Sequence, residues 1–170
     1  MKNTPVYDKT VSYAREHNEL EAFRTSKREN IACKNAVTDA IRRNYDGSHI
    51  NTKQALKELK EVFSLERIAV VTAVTIRPRD WDARISQENK DWSKSFPFPD
   101  GFDSWGYDRN SEFIVSEIHP GLMNLFANAV RKELDLEKAA PAKKSSLVEK
   151  LNRPLPPKAD KTAKSKEQEL

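Results

Sequence analysis

The stretch Leu65–Ile76, LERIAVVTAVTI, constrains the fold more than any other part of the chain. It falls well short of the roughly 20 apolar residues that a membrane-spanning helix needs, so protein has to cover it. Its β-branched residues suit a buried strand, whereas its length suits a helix. A strand needs partners, and Phe113, Ile114 and Val115 form the one other good strand candidate. The run therefore reads as a helix buried on all sides, stopped by Pro78.

The flanking sequence reads as further helices. Thr4-Pro5 is a helix start, with a capping hydroxyl and proline at the first helical position. Tyr7, Val11 and Ala14 then follow at amphipathic spacing, and the helix should end near His17-Asn18. Asn18 can cap a second helix reaching Tyr45, before an Asp46-Gly47 turn. Leu20, Phe23, Ile31, Val37, Ile41 and Tyr45 would form its core stripe. Lys27 and Lys34 fall in the same stripe, so either their stems snorkel or the helix breaks near Lys27. Asn51 or Thr52 caps a third helix buried through Ala55, Leu56, Leu59, Val62 and Phe63, and Ser64 caps the apolar one. Asp80 or Ser86 starts a short helix through Trp92. His119-Pro120 opens a last one, with Leu122, Phe126, Ala129 and Val130 inward and its end near Leu136. The expected fold is mainly α: about five to six helices over residues 1–137, a long irregular aromatic loop, and room for a minor β element near 113–115.

The net charge of +4 is unevenly divided. Residues 138–170 hold nine Lys/Arg against four Asp/Glu, or +5, which leaves −1 for the rest. This stretch, rich in alanine, lysine, proline and serine, reads as a flexible basic tail. Residues 80–117 carry nine acids against four bases, or −5, and hold eight of the 14 aromatics. Within them, 92–110 reads WSKSFPFPDGFDSWGYDRN, where Pro97, Pro99, Gly101 and Gly106 exclude regular structure.

Trp81, Trp92, Phe96, Phe98 and Phe113 are candidates for packing beneath a loop, because aromatics dominate small cores. Phe102, Trp105 and Tyr107 differ, since they sit in DGFDSWGYD, where burying the rings would bury irregular backbone too. Exposed aromatics among aspartates make an interface loop. Phe102, Trp105 and Tyr107 are the candidate anchors. Asp100, Asp103, Asp108 and Glu112 are the candidate contacts to a basic partner, standing where phosphates would otherwise lie.

Catalytic patterns have no support in the sequence. With four glycines there is no phosphate-cradling loop. Asp80 and Asp82 form a carboxylate pair with no histidine or third acid near in sequence. His119, before Pro120, reads as a helix cap. Cys33 is the single cysteine and reads as a small core residue, so no disulfide within the chain and no cysteine-built zinc site is expected. His17, His49 and His119 lie in unrelated contexts, so neither metal nor cofactor is expected. On the second helix, Arg24, Lys27, Arg28, Lys34, Arg42 and Arg43 are interleaved with acids, as on a solvated face. The N-terminal MKNTPVYDKTVSYAREHNEL has no apolar signal core, which points to the cytoplasm.

The opening TPVYDKTVSYAREHNELEAFRTSKRENIACKNAVTDAIRRNYDG resembles a domain family of unknown function encoded on plasmids, phages and conjugative elements of Clostridia and related Firmicutes. ERIAVVTAVTI, RDWDARISQENKDWSKSFPFP, RNSEFIVSEIHPGLMNLFANAVRKEL and the terminal KTAKSKEQEL extend the likeness over nearly the whole chain. A small stand-alone member of this kind is similar to type II-A anti-CRISPR proteins. That resemblance implies a non-enzymatic inhibitor in a bacterial host cytoplasm. It would bind the type II CRISPR nuclease with its guide RNA and block adjacent-motif recognition, target DNA binding or cleavage. The alternative is a nucleic-acid-binding accessory of a mobile element, acting through the basic tail with weak polyanion contacts.

Overall fold

In the computed structural model, which describes residues 2–97 and 111–151, the chain is helical: α1 (Val11–Glu16), α2 (Leu20–Arg43), α3 (Thr52–Val62), α4 (Leu65–Ile76), α5 (Gln87–Lys94) and α6 (Pro120–Leu151). Short 3-10 turns, Arg77–Arg79 and Ser111–Phe113, lie between them. Two units are distinguished, Met1–Leu136 and Glu137–Leu170.

The apolar run is α4, and every residue of it except Glu66 is buried. A helix apolar all round is stable only when neighbours enclose it. Ile68, Val71 and Ile76 share one cluster with Val37 and Ile41 of α2, Leu56 and Leu59 of α3, Ile85, and Met123, Phe126 and Val130 of α6. Each such side chain contributes about 1.5–3 kcal/mol of burial. Thr72 and Thr75 are wholly buried, and their hydroxyls donate to the carbonyls of Ile68 (2.7 Å) and Val71 (2.8 Å) one turn back.

Capping sets the helix starts. Asn51, Ser64 and Ser86 accept from the backbone N–H groups of Gln54, Arg67 and Asn89. Asn18, at φ 58°, closes α1: its N–H and that of Glu19 bond back to Arg15 and Ala14, the left-handed C-terminal motif that asparagine tolerates. Asn18 is thus a stop, and α2 begins two residues later.

The first helix starts at Val11, capped by Thr10, not at Thr4-Pro5. The carbonyls of Thr4 and Pro5 accept from Arg67 Nη2 at 3.0 and 3.1 Å, and Tyr7 N donates to Ser26 Oγ at 2.9 Å. These tertiary bonds hold the N-terminal residues outside a helix, which overrides the local start signal. Arg67 is fully buried within the apolar helix, and it also donates to Ser26 O (3.0 Å) and to Asn30 Oδ1, with Glu29 at 3.3 Å.

Arg67 also explains α2. The helix runs unbroken past Lys27, and its buried line is Ser26, Asn30, Cys33, Val37, Ala40 and Ile41. Leu20, Phe23 and Ile31 flank that line, half-buried, and Tyr45 lies beyond the helix end, 38% exposed. Lys27 pairs with Glu112 instead of snorkelling along the core.

No strand forms at 113–115, nor elsewhere among the described residues, where one isolated bridge links Tyr45 and Ile50. Phe113 ends a 3-10 turn, and Val115 N donates to Thr75 Oγ1 at 3.0 Å, so a threonine hydroxyl meets the backbone demand of a strand neighbour. The last helix, expected to end near Leu136, runs to Leu151. Residues 137–151 are rich in alanine, lysine, glutamate and leucine, all strong helix formers.

Candidate interaction surface

Residues 77–86 make a tightly tied corner between α4 and α5. Pro78 ends the α-helix in a 3-10 turn, and Asp82 N donates to Arg79 O (3.0 Å) while Ile85 N donates to Asp82 O (3.2 Å). Asp82 is buried, and Arg84 closes on it as a fork, Nε to Oδ1 at 2.9 Å and Nη2 to Oδ2 at 2.8 Å. A third bond comes from Arg84 N at 2.9 Å, and together these hold the Asp82 carboxyl down at about 2. Asp80 pairs with Lys94 at 3.0 Å. Each member of the Asp80/Asp82 pair is therefore engaged by its own cation. Between them, Trp81 projects with 78% of its surface exposed. The expectation of Trp81 in the core is overturned: the corner buries Asp82 and Ile85 and turns the indole outward.

The same corner ties down both flanks of residues 98–110. Arg77 Nη2 donates to Ser93 O (2.9 Å) and Phe96 O (3.0 Å) before that segment, and Arg79 Nη2 donates to Val115 O (3.2 Å) after it. Trp92 and Phe96, both half-buried, meet edge to face at 5.1 Å, and Phe113 is buried beside Val70 and Val74. Those three aromatics support the flanks, as expected of them.

Of the candidate contact residues, Phe102, Trp105, Tyr107, Asp100, Asp103 and Asp108 lie outside the described residues, as does Phe98. Glu112 is described. It stands exposed on the Ser111–Phe113 turn, 3.1 Å from Lys27 of α2. Glu117, at φ 60°, closes the segment with its carboxylate 2.7 Å from Arg42.

A family model, protein of unknown function (DUF3849), matches residues 6–135. The chain belongs to the DUF3849 family. No curated protein and no solved structure matches it. The DUF3849 match spans α1 to α5, the Trp81 corner, both flanks of 98–110 and α6 to within a residue of Leu136.

Elsewhere among the described residues of the DUF3849 domain, several polar groups do structural work. An open cleft of about 520 Å³ at the Asp46-Gly47 turn is lined by Arg43, Tyr45, Asp46 and His49. Arg43 is engaged by Glu58 at 3.0 Å, and Asp46 accepts from the amides of Ser48 and His49, which lowers its pKa. Gly47, at φ 99°, permits that turn. Asn89 joins α5 to α6 by donating to Asn124 and Asn128, with Arg131 donating to its side-chain Oδ1 at 2.9 Å. Cys33 is buried, and burial pushes its thiol up to about 12. His119 accepts from Gly121 N through Nδ1 at 3.0 Å, capping α6. Among the described residues no group of three His, Cys, Asp or Glu is placed to hold a metal, and no helix is long and apolar enough to cross a membrane.

Sequence reasoning missed the Arg67 cluster and the exposure of Trp81. The first had a signal. Ser26, Asn30 and Cys33 fall at the same 4-3-4 spacing as Val37, a polar continuation of a core stripe facing the one arginine in an apolar helix. The second had none, because the direction of Trp81 depends on the closure of Arg84 onto Asp82.

Proposed function

We propose that the protein is a non-enzymatic inhibitor that binds the guide-RNA-loaded type II CRISPR nuclease and blocks its engagement or cleavage of target DNA. The observation that carries this reading is the concentration of eight of 14 aromatics and a charge of −5 in residues 80–117, in a chain whose remaining residues before the tail carry +4. Phe96 and Val115, on either side of residues 98–110, are both tied to one arginine-bearing turn. A nuclease of this type reads its adjacent motif with arginines in a positively charged DNA channel. Acids and aromatics together suit such a surface, with the acids matching its charge and the rings supplying the anchors. The nuclease itself enters through the resemblance to anti-CRISPR proteins of mobile elements; membership of DUF3849 is compatible with it.

The test is a cleavage titration with target binding followed in parallel. Inhibition near one equivalent, lost in the Trp105→Ala/Tyr107→Ala variant at an unchanged melting midpoint, is the expected result. No inhibition across several nuclease orthologues, together with salt-sensitive binding to free DNA that deletion of residues 138–170 weakens, would replace this reading with the accessory-protein one.

A further inference from the structure

We propose that Asn18 is the hinge of an exchange between two copies of this chain, in which residues 2–17 of each copy seat themselves on the Arg67 cluster of the other. The inference does not depend on the nuclease.

The first observation is the seat. Residues 4–7 form no helix, and they are held by groups on α2, on α4 and on the residue before α2. Arg67 donates to the carbonyls of Thr4 and Pro5, Thr4 Oγ1 donates to Glu29 Oε1 at 2.9 Å, and Ser26 Oγ accepts from Tyr7 N. Tyr7 Oη donates to Glu19 at 2.8 Å, and the Tyr7 ring meets Phe23 edge to face at 5.8 Å. Val6 packs against Val70, Val74 and Phe113. A bound peptide is held in the same manner, with main-chain groups carrying the bonds and side chains filling pockets. None of these partners lies in α1, so the same segment from a second copy meets the same groups.

The second observation is the connection. Three residues, His17 to Glu19, separate α1 from α2, and the reversal rests on Asn18 at φ 58°. That left-handed conformation is costly for residues other than glycine, and asparagine bears it better than most. No glycine or proline occurs from Val11 to Arg43, so α1 can continue into α2 as one helix once Asn18 turns right-handed.

The third observation is the start of α2. Thr10, Asn51, Ser64 and Ser86 cap α1, α3, α4 and α5 with side-chain oxygens, whereas Glu19 makes no such bond to α2. In a continuous helix the amides of Leu20, Glu21 and Ala22 would find the carbonyls of Glu16, His17 and Asn18. Straightening thus gains backbone bonds but carries residues 2–17 away from their seat. It would leave the buried Arg67 without its acceptors, which is strongly unfavourable. A second copy straightened in the same way resolves the conflict, because each segment fills the other's seat. Exchange of an identical element is an accessible route to a dimer.

The test is sedimentation velocity on the full chain as wild type, Asn18→Ala, Asn18→Gln and Asn18→Gly. Asn18 is exposed, so these changes remove no core contact. Asn18→Ala and Asn18→Gln should strengthen self-association about 5-fold per hinge, and so about 25-fold for the two hinges of a dimer. Asn18→Gly, which adopts the turn freely, should associate no more than wild type. In a dimer of isotopically labelled and unlabelled Asn18→Ala chains refolded together, nuclear Overhauser contacts between the Tyr7 and Phe23 rings should cross from one chain to the other. The Tyr7 amide should stay protected from exchange, since Ser26 Oγ still accepts from it. Ring contacts confined to one chain would make the dimer a surface association and overturn the inference. Self-association of both helix-favouring variants at the wild-type level would overturn it too, as would a monomer whose Tyr7 amide is released.

Discussion

Replacing Arg67 with methionine keeps much of the stem volume and removes the guanidinium. The structure indicates what is lost. Arg67 is wholly buried, and its two terminal nitrogens serve Ser26, Asn30, Thr4 and Pro5, with Glu29 at 3.3 Å and its side chain only 14% exposed. The variant leaves the Glu29 carboxylate without its cation and Asn30 Oδ1 without its donor. Breaking a buried pair from one side costs about 3–5 kcal/mol. For the 136 residues of Met1–Leu136, an unfolding entropy of about 2.1 cal/mol/K per residue converts that to a fall in melting midpoint of about 10–18 °C. Urea unfolding followed by circular dichroism measures the loss. Hydrogen exchange at the Tyr7 amide, which donates to Ser26 Oγ, measures release of the N-terminal residues. The Arg67→Met/Glu29→Gln double variant should recover about 1–3 kcal/mol, because it removes the stranded charge. A loss under about 1 kcal/mol, or a double variant no more stable than Arg67→Met, would refute the argument.

Two further outcomes follow from the same structure. The carboxyl of Asp82 is lowered from 3.8 to about 2 by Arg84, so its contribution is full above 3.8 and disappears as pH falls toward 2. The melting-midpoint gap between wild type and Asp82→Asn should therefore be present near neutral pH and close across that window, and a gap that widens on acidification would contradict it. Cys33, raised to about 12 by burial, should resist Ellman's reagent in the native state at mildly alkaline pH and react fully in concentrated guanidinium. Prompt native labelling would show that α2 opens at that position.

Much of the scaffold was legible because it rests on local chemistry. The apolar run that must be enclosed, the caps at Asn51, Ser64 and Ser86, and the inward placement of Cys33, Val37 and Ile41 follow from periodicity and hydrogen-bonding capacity. What escaped was set by partners distant in sequence. Thr4-Pro5 carries a helix start signal, yet its carbonyls are needed 62 and 63 residues away by Arg67. Phe113-Ile114-Val115 carries strand propensity, yet the Val115 amide finds Thr75. Of the candidate contact residues, only Glu112 falls among the described residues, and it is already ion-paired to Lys27. Trp81 shows why aromatic content alone does not locate a surface: Phe113 and Trp81 belong to the same segment, and backbone geometry sends one inward and the other out.

The most direct measurement of the central claim is calorimetric titration of the full chain into a guide-loaded type II nuclease, free and then saturated with target duplex. The proposed inhibitor should bind the free complex at one to one and lose that binding when target DNA occupies the channel. Binding unaffected by the duplex would remove the DNA channel as its site, and no binding to any guide-loaded orthologue would contradict the account.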